Sequence, residues 1–112
     1  MVDLSFLKQF TKGDPQKIKR YIKLYLDVAP TTMEEMKRHL IQKDWDQLRI
    51  KAHSLKPQTD YMGIIDLKEE LTKIEEAVKS NDYDRIEALL QSSFAIATQS
   101  EIELRSILEQ FE

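Results

Sequence analysis

With 112 residues, two glycines, three prolines and no cysteine, the chain can build one hydrophobic core, and disulfides, thiolate chemistry and cysteine metal sites are excluded. A formal net charge of −3 argues against nucleic acid as a partner, and no apolar run approaches the ~18 residues of a membrane span, so no membrane insertion is expected. The start MVDLSFLKQF carries an early acid and no sustained apolar run, unlike a signal peptide, so a cytoplasmic location is expected.

The first segment, Asp3 to about Thr11, offers Leu4, Phe6, Leu7 and Phe10 in a length too short to be stable alone, so a short helix packed on the rest is expected. Gly13 stops it. Asp14-Pro15 then supplies an N-cap and a proline at the first helical position, where its missing donor is harmless. The second helix is expected to run to about Ala29, with Ile18, Tyr21, Ile22, Tyr25 and Val28 at helical spacing, and Pro30 to break or sharply bend it. Thr31 and Thr32 each precede a glutamate by three residues, the capping-box pattern, and Met33, Met36 and Leu40 give a third helix its apolar stripe. His39 lies at the edge of that stripe with no motif around it, which suggests a structural or incidental residue.

Asp44-Trp45-Asp46 and Asp82-Tyr83-Asp84 repeat one helix start: a capping acid, an aromatic to cover the end of the molecule, and a second acid near the positive end of the dipole. From about Gly63 to Ser80, Ile64, Leu67, Leu71, Ile74 and Val78 form one face, leaving Lys68, Glu69, Glu70, Glu75 and Glu76 as a solvated face. The last helix, about Asp82 to Gln110, should bury Ile86, Leu90, Phe94, Ala97, Leu104, Leu108 and Phe111, with Glu101 interrupting the stripe so that the final turns project. Nothing reads as a strand. The expected fold is all-α, a single domain over 1–112: an up-and-down antiparallel four-helix bundle with an additional short N-terminal helix.

The stretch from Asp44 to Gly63 carries the chemistry. Leu48, Ala52, Leu55, Thr59 and Met62 fall in one sector, with Trp45 at its edge, while His53 points roughly 130° away from it at 100° per residue. Arg49 and Lys56 are its i−4 and i+3 neighbours, so an exposed imidazole lies between two cations. A neutral ring nitrogen is a nucleophile, and cations can hold the oxygens of an arriving phosphoryl group, whose transfer needs mostly positioning and charge neutralisation. A surrounding patch of Asp46, Ile50, Pro57, Asp60 and Tyr61 is a candidate docking surface, Ile50 and Tyr61 being apolar groups expected to point away from the core.

Ala52-His53-Ser54-Leu55-Lys56, followed ten residues after the histidine by Gly63, resembles the signature of histidine-containing phosphotransfer (HPt) domains. Thr11-Lys12-Gly13-Asp14, the Tyr25-Leu26 to Pro30 segment, the Lys43-Asp44-Trp45 turn and the Ser80-Asn81-Asp82 turn extend the resemblance over nearly the whole chain. It implies a helical bundle with His53 as phosphoacceptor and Lys56 as the cation that orients the phosphate; Arg49, by its place one turn before the histidine, is the candidate for electrostatic support. The partners it implies are receiver domains of response regulators or hybrid sensor kinases. Mg²⁺ would sit on the receiver, and this chain would bind no metal or cofactor. Where the family usually has a small residue after the motif lysine, this chain has Pro57, which takes the helical partner from the His53 carbonyl and should bend the helix. Either the variant is tolerated or the change marks a site that binds a signalling partner without transfer, a non-catalytic adaptor bundle.

Other chemistries lack their parts. The residues three before the two histidines are Met36 and Ile50, so the Glu-x-x-His pairs of a di-iron bundle are missing. There is no phosphate-binding glycine loop, kinase motif set or nucleophile elbow, so no autonomous kinase activity is expected.

Overall fold

The computed structural model describes residues 1–111; Glu112, the last residue of the expected domain, lies outside them. A short helix α1 (Ser5–Phe10) is followed by four long ones, α2 (Pro15–Ile41), α3 (Trp45–Met62), α4 (Ile65–Lys79) and α5 (Ile86–Glu109), with a single 3₁₀ turn, Tyr83–Arg85, leading into the last. No strand occurs among the described residues. The long helices run alternately up and down, each packed on its sequence neighbours, and α5 closes the ring against α2 in a body of 43 × 20 × 19 Å. Leu7, Ile22, Met36, Leu48, Leu67, Leu71, Ile74, Ile86 and Leu104, all inaccessible to solvent, form one continuous core.

Pro30 does not divide α2, and the separate third helix expected after it does not exist. The ring removes one donor and presses on the carbonyl of Leu26, a penalty of ~3 kcal/mol or more. Against that, Tyr25, Leu26, Ala29, Met33 and Met36 are buried on one stripe that crosses the proline, and each large apolar side chain removed from water contributes ~1.5–3 kcal/mol. Continuity wins by that margin. The two threonines therefore cap nothing: Thr32 is buried, and the Thr31 hydroxyl lies 3.4 Å from the Asp27 carbonyl, to which it donates. The same logic carries α3 through Pro57, since Leu55, Thr59 and Met62 are buried on either side.

The expected starts hold at two helices and fail at one. Asp14 accepts from the backbone N–H of Gln16 at 3.0 Å, and Asp44 from that of Gln47 at 3.3 Å. Asp82 caps nothing; it pairs with Arg85 at 3.4 Å across the 3₁₀ turn. The aromatics of the two repeated motifs do meet: the rings of Trp45 and Tyr83 stack at 4.5 Å with 7° between their planes.

Four helix ends close with the same backbone bond, in which an N–H two or three residues past the end reaches a carbonyl five residues back: Gly13 to Lys8, Asp44 to His39, Ile64 to Thr59 and Asp82 to Ala77. The residue before each donor is left-handed, and at Lys12, Lys43 and Asn81 it is not glycine. Lys43 is exposed at φ 56°. Lys43→Gly should therefore raise stability by about 0.5–1 kcal/mol, the left-handed penalty of ~1–2 kcal/mol less the extra entropy glycine loses on folding. An increase in the urea midpoint with an unchanged slope is the expected readout.

The last turns of α5 do not project. Ser100, just before Glu101, and Leu104 beyond it are buried, and Ile107, Leu108 and Phe111 pack on the core. The N-terminal segment holds that end: Val2 donates its N–H to Glu103 at 2.8 Å, and Asp3 donates its own to the Met62 carbonyl at 3.1 Å.

Candidate functional site

All five residues expected on the inner face of α3, Leu48, Ala52, Leu55, Thr59 and Met62, are buried, which forces His53 outward. Its side chain is 70% exposed. The ring is nevertheless fixed, because Nδ1 lies 2.9 Å from Oε2 of Glu75 on α4. The other carboxylate oxygen of Glu75, Oε1, is 2.7 Å from Nζ of Lys56, a contact with the distance of an ion pair but not the alignment of a hydrogen bond. Glu75 is 7% exposed at its side chain and Lys56 21%.

Glu75 was expected on a solvated face, and the structure corrects that. With the stripe Leu67, Leu71, Ile74 and Val78 as reference, Glu75 sits only about 70° from its centre at 100° per residue, whereas Glu76 sits about 170° away. A flank position next to α3 buries the carboxylate, and the signal was present in the angle. The two cations expected beside His53 differ in their surroundings. Lys56 is engaged by Glu75, while Arg49, half-buried one turn before His53, has no ionic partner among the described residues.

Burial would raise the carboxyl of Glu75, but the close ammonium of Lys56 and the contact with His53 outweigh it and hold this group below the usual glutamate range. Glu75 is therefore ionised at neutral pH and can only accept. It follows that Nδ1 carries the proton and donates, and a neutral ring then has its lone pair on Nε2, which has no partner among the described residues.

The depressed carboxyl also fixes a sign for acid stability. The unfolded chain takes up the Glu75 proton first as pH falls, so the stabilisation is complete above the ordinary glutamate value of ~4.3 and is lost on descending through and below it. Asp3, through hydrogen bonds from Ser5, and Glu35, through Lys51, are lowered as well. The difference between wild type and Glu75→Gln isolates one group. Melting temperature should fall less steeply in the variant between about pH 5 and 3.

Of the docking candidates, Asp46, Ile50 and Pro57 are exposed on α3 near His53, and Asp60 is exposed but paired with Lys68 at 2.7 Å. Tyr61 departs from expectation. It does not point away from the protein but is the half-buried hub of an aromatic cluster, with ring centroids 5.0 Å from Tyr21, 5.5 Å from Phe10 and 5.9 Å from Phe6. Its wheel angle faces the gap that α1 fills, and no periodicity within α3 could reveal that neighbour. The second histidine, His39, is buried, and neither of its ring nitrogens has a hydrogen-bond partner among the described residues.

A family model for the Hpt domain matches residues 20–112. The chain belongs to the Hpt domain family. Hpt domains are the histidine phosphotransfer modules of two-component phosphorelays, where they interact with receiver domains. Comparison with curated proteins and with solved structures gave no significant match. No helix among the described residues is long and apolar enough to cross a membrane. The described part of this Hpt domain also contains no group of three or more His, Asp or Glu side chains that could hold a metal ion.

Proposed function

We propose that this Hpt domain is a phosphorelay intermediate in the cytoplasm: His53 takes a phosphoryl group from a receiver-domain aspartate and gives it to another receiver. The observation that carries this reading is an exposed imidazole whose Nδ1 is occupied by a buried carboxylate, leaving Nε2 as the free nucleophile. In the forward step Nε2 donates its lone pair to phosphorus, the P–O bond of the aspartyl phosphate breaks, and the bonding pair leaves with the aspartate carboxylate. Mg²⁺ is held by the receiver, and this chain supplies no metal.

Lys56 and Arg49 are the cations for the phosphate oxygens, Lys56 reaching them by shifting its ammonium from Glu75 and Arg49 adding electrostatic support. The receiver covers Asp46, Ile50, Pro57 and Asp60 around the histidine. The aromatic cluster around Tyr61, about 12 Å further along α3 at 1.5 Å per residue, extends the same surface with exposed Phe6 and Phe10.

The test is incubation with a panel of phosphorylated receiver domains. An acid-labile, alkali-stable label on this protein is expected. No label from any receiver on a folded, helical sample would instead favour an adaptor bundle that docks without transfer.

A further inference from the structure

The proton on Nδ1 of His53 has a consequence for the phosphorylated state. We infer that Glu75 keeps that proton in place through the whole transfer cycle and so makes phospho-His53 an activated donor; this rests on His53 being the phosphoacceptor. Glu75 is a positioning residue, since it touches the ring and not the phosphoryl group.

Oε2 of Glu75 faces Nδ1 at 2.9 Å from a nearly buried carboxylate, and an ionised carboxylate has no hydrogen to give. When Nε2 becomes bonded to phosphorus, a ring that lost its Nδ1 proton would aim a lone pair at that buried anion. The ring that keeps the proton retains a charge-assisted hydrogen bond. Glu75 therefore favours the phosphoimidazolium form. The other charged groups beside the ring, Arg49 and Lys56 of α3, oppose positive charge on it, and Lys56 is already paired with the same carboxylate at 2.7 Å.

The step then balances without a proton shuttle. Neutral His53 and a dianionic acyl phosphate give a free carboxylate and a phosphoimidazolium of net charge −1, with the same total before and after. In the donor direction the N–P bond breaks with its electron pair returning to Nε2, and the leaving group is neutral imidazole with Nδ1–H still on Glu75. Without that proton the leaving group would be an imidazolate, a far poorer one. The resting tautomer and the departing tautomer are identical.

The experiment loads the ring chemically with phosphoramidate, so that it does not depend on any receiver. In the unphosphorylated wild type, ¹⁵N–¹H correlation of the imidazole should show the proton on Nδ1. Glu75→Gln, whose amide can donate as well as accept, should lose that preference. At about pH 8, phospho-His53 of the wild type should hydrolyse about tenfold faster than in Glu75→Gln, one pKa unit of bias. Lys56→Met, which leaves the Nδ1 contact intact, should keep the wild-type tautomer. A wild type with its proton on Nε2, or equal phosphoryl lifetimes in folded wild type and Glu75→Gln, would overturn the inference. A purely structural Glu75 would move the melting temperature and neither of these readouts. The wild-type tautomer needs no variant, so a misfolded Glu75→Gln does not rescue the idea. If the chemically loaded protein behaves as described but no receiver exchanges phosphate with it, the relay reading fails and this inference stands.

Discussion

His53→Gln is expected to remove phosphoryl acceptance altogether, a loss of at least about 10³-fold in initial transfer rate given that no other group can take over the covalent step. The only other histidine, His39, is buried in the interior face of α2 and cannot meet a receiver. Glutamine retains a polar side chain at a largely exposed position, so the fold should be unaffected and the melting temperature should stay within about 0.5 kcal/mol-equivalent of the wild type, as for most surface substitutions. Glutamine also offers an amide to Glu75, so the buried carboxylate is not stranded. Binding to an unphosphorylated receiver should survive, which separates chemistry from docking. Radiolabel transfer together with calorimetric binding checks both halves, and label on the folded variant would remove His53 from the phosphoacceptor role.

What could be read from the chain follows the range of the forces concerned. The amphipathic face of α3, the caps at Asp14 and Asp44 and the outward direction of His53 depend on residues within one or two turns, and the periodicity disclosed them. The continuity of α2 through Pro30 did not follow from the local penalty of the ring, because the opposing burial of Leu26, Ala29, Met33 and Met36 depends on helices distant in sequence. Glu75 is the instructive case. Its flank angle on α4 was available, but its role needed the knowledge that α4 lies against the His53 side of α3, twenty-two residues away in the chain. Tyr61 was misplaced for a related reason: the face that looks outward from α3 is covered by α1 and by Tyr21 of α2.

Gly63→Ala should cost about 2–4 kcal/mol of folding stability, the combined effect of left-handed backbone and lost long-range contacts. Gly63 ends α3 at φ 64°, and a Cβ built there would lie 1.9 Å from the backbone oxygen of Asp3. That oxygen is not the tip of a flexible side chain. It belongs to the segment pinned by the Asp3 N–H to Met62 and by the Val2 N–H to Glu103, so the methyl group must push the start of α1 off the bundle. Gly13→Ala supplies the control, since it has φ 74° and nothing within 4 Å of a new Cβ. It should pay only the backbone penalty of ~1–2 kcal/mol. The excess in Gly63→Ala measures the close approach, and equal losses from the two variants in urea unfolding would show that the contact with Asp3 contributes nothing. Hydrogen exchange adds a spatial prediction: residues of α1 and the Phe6–Phe10–Tyr61 cluster should lose protection in Gly63→Ala, while His53, held by Glu75 nearer the middle of α3, keeps its geometry. A glycine ten residues from the histidine is thus tied to the site through the seating of α1 on α3, and not through any contact with the imidazole.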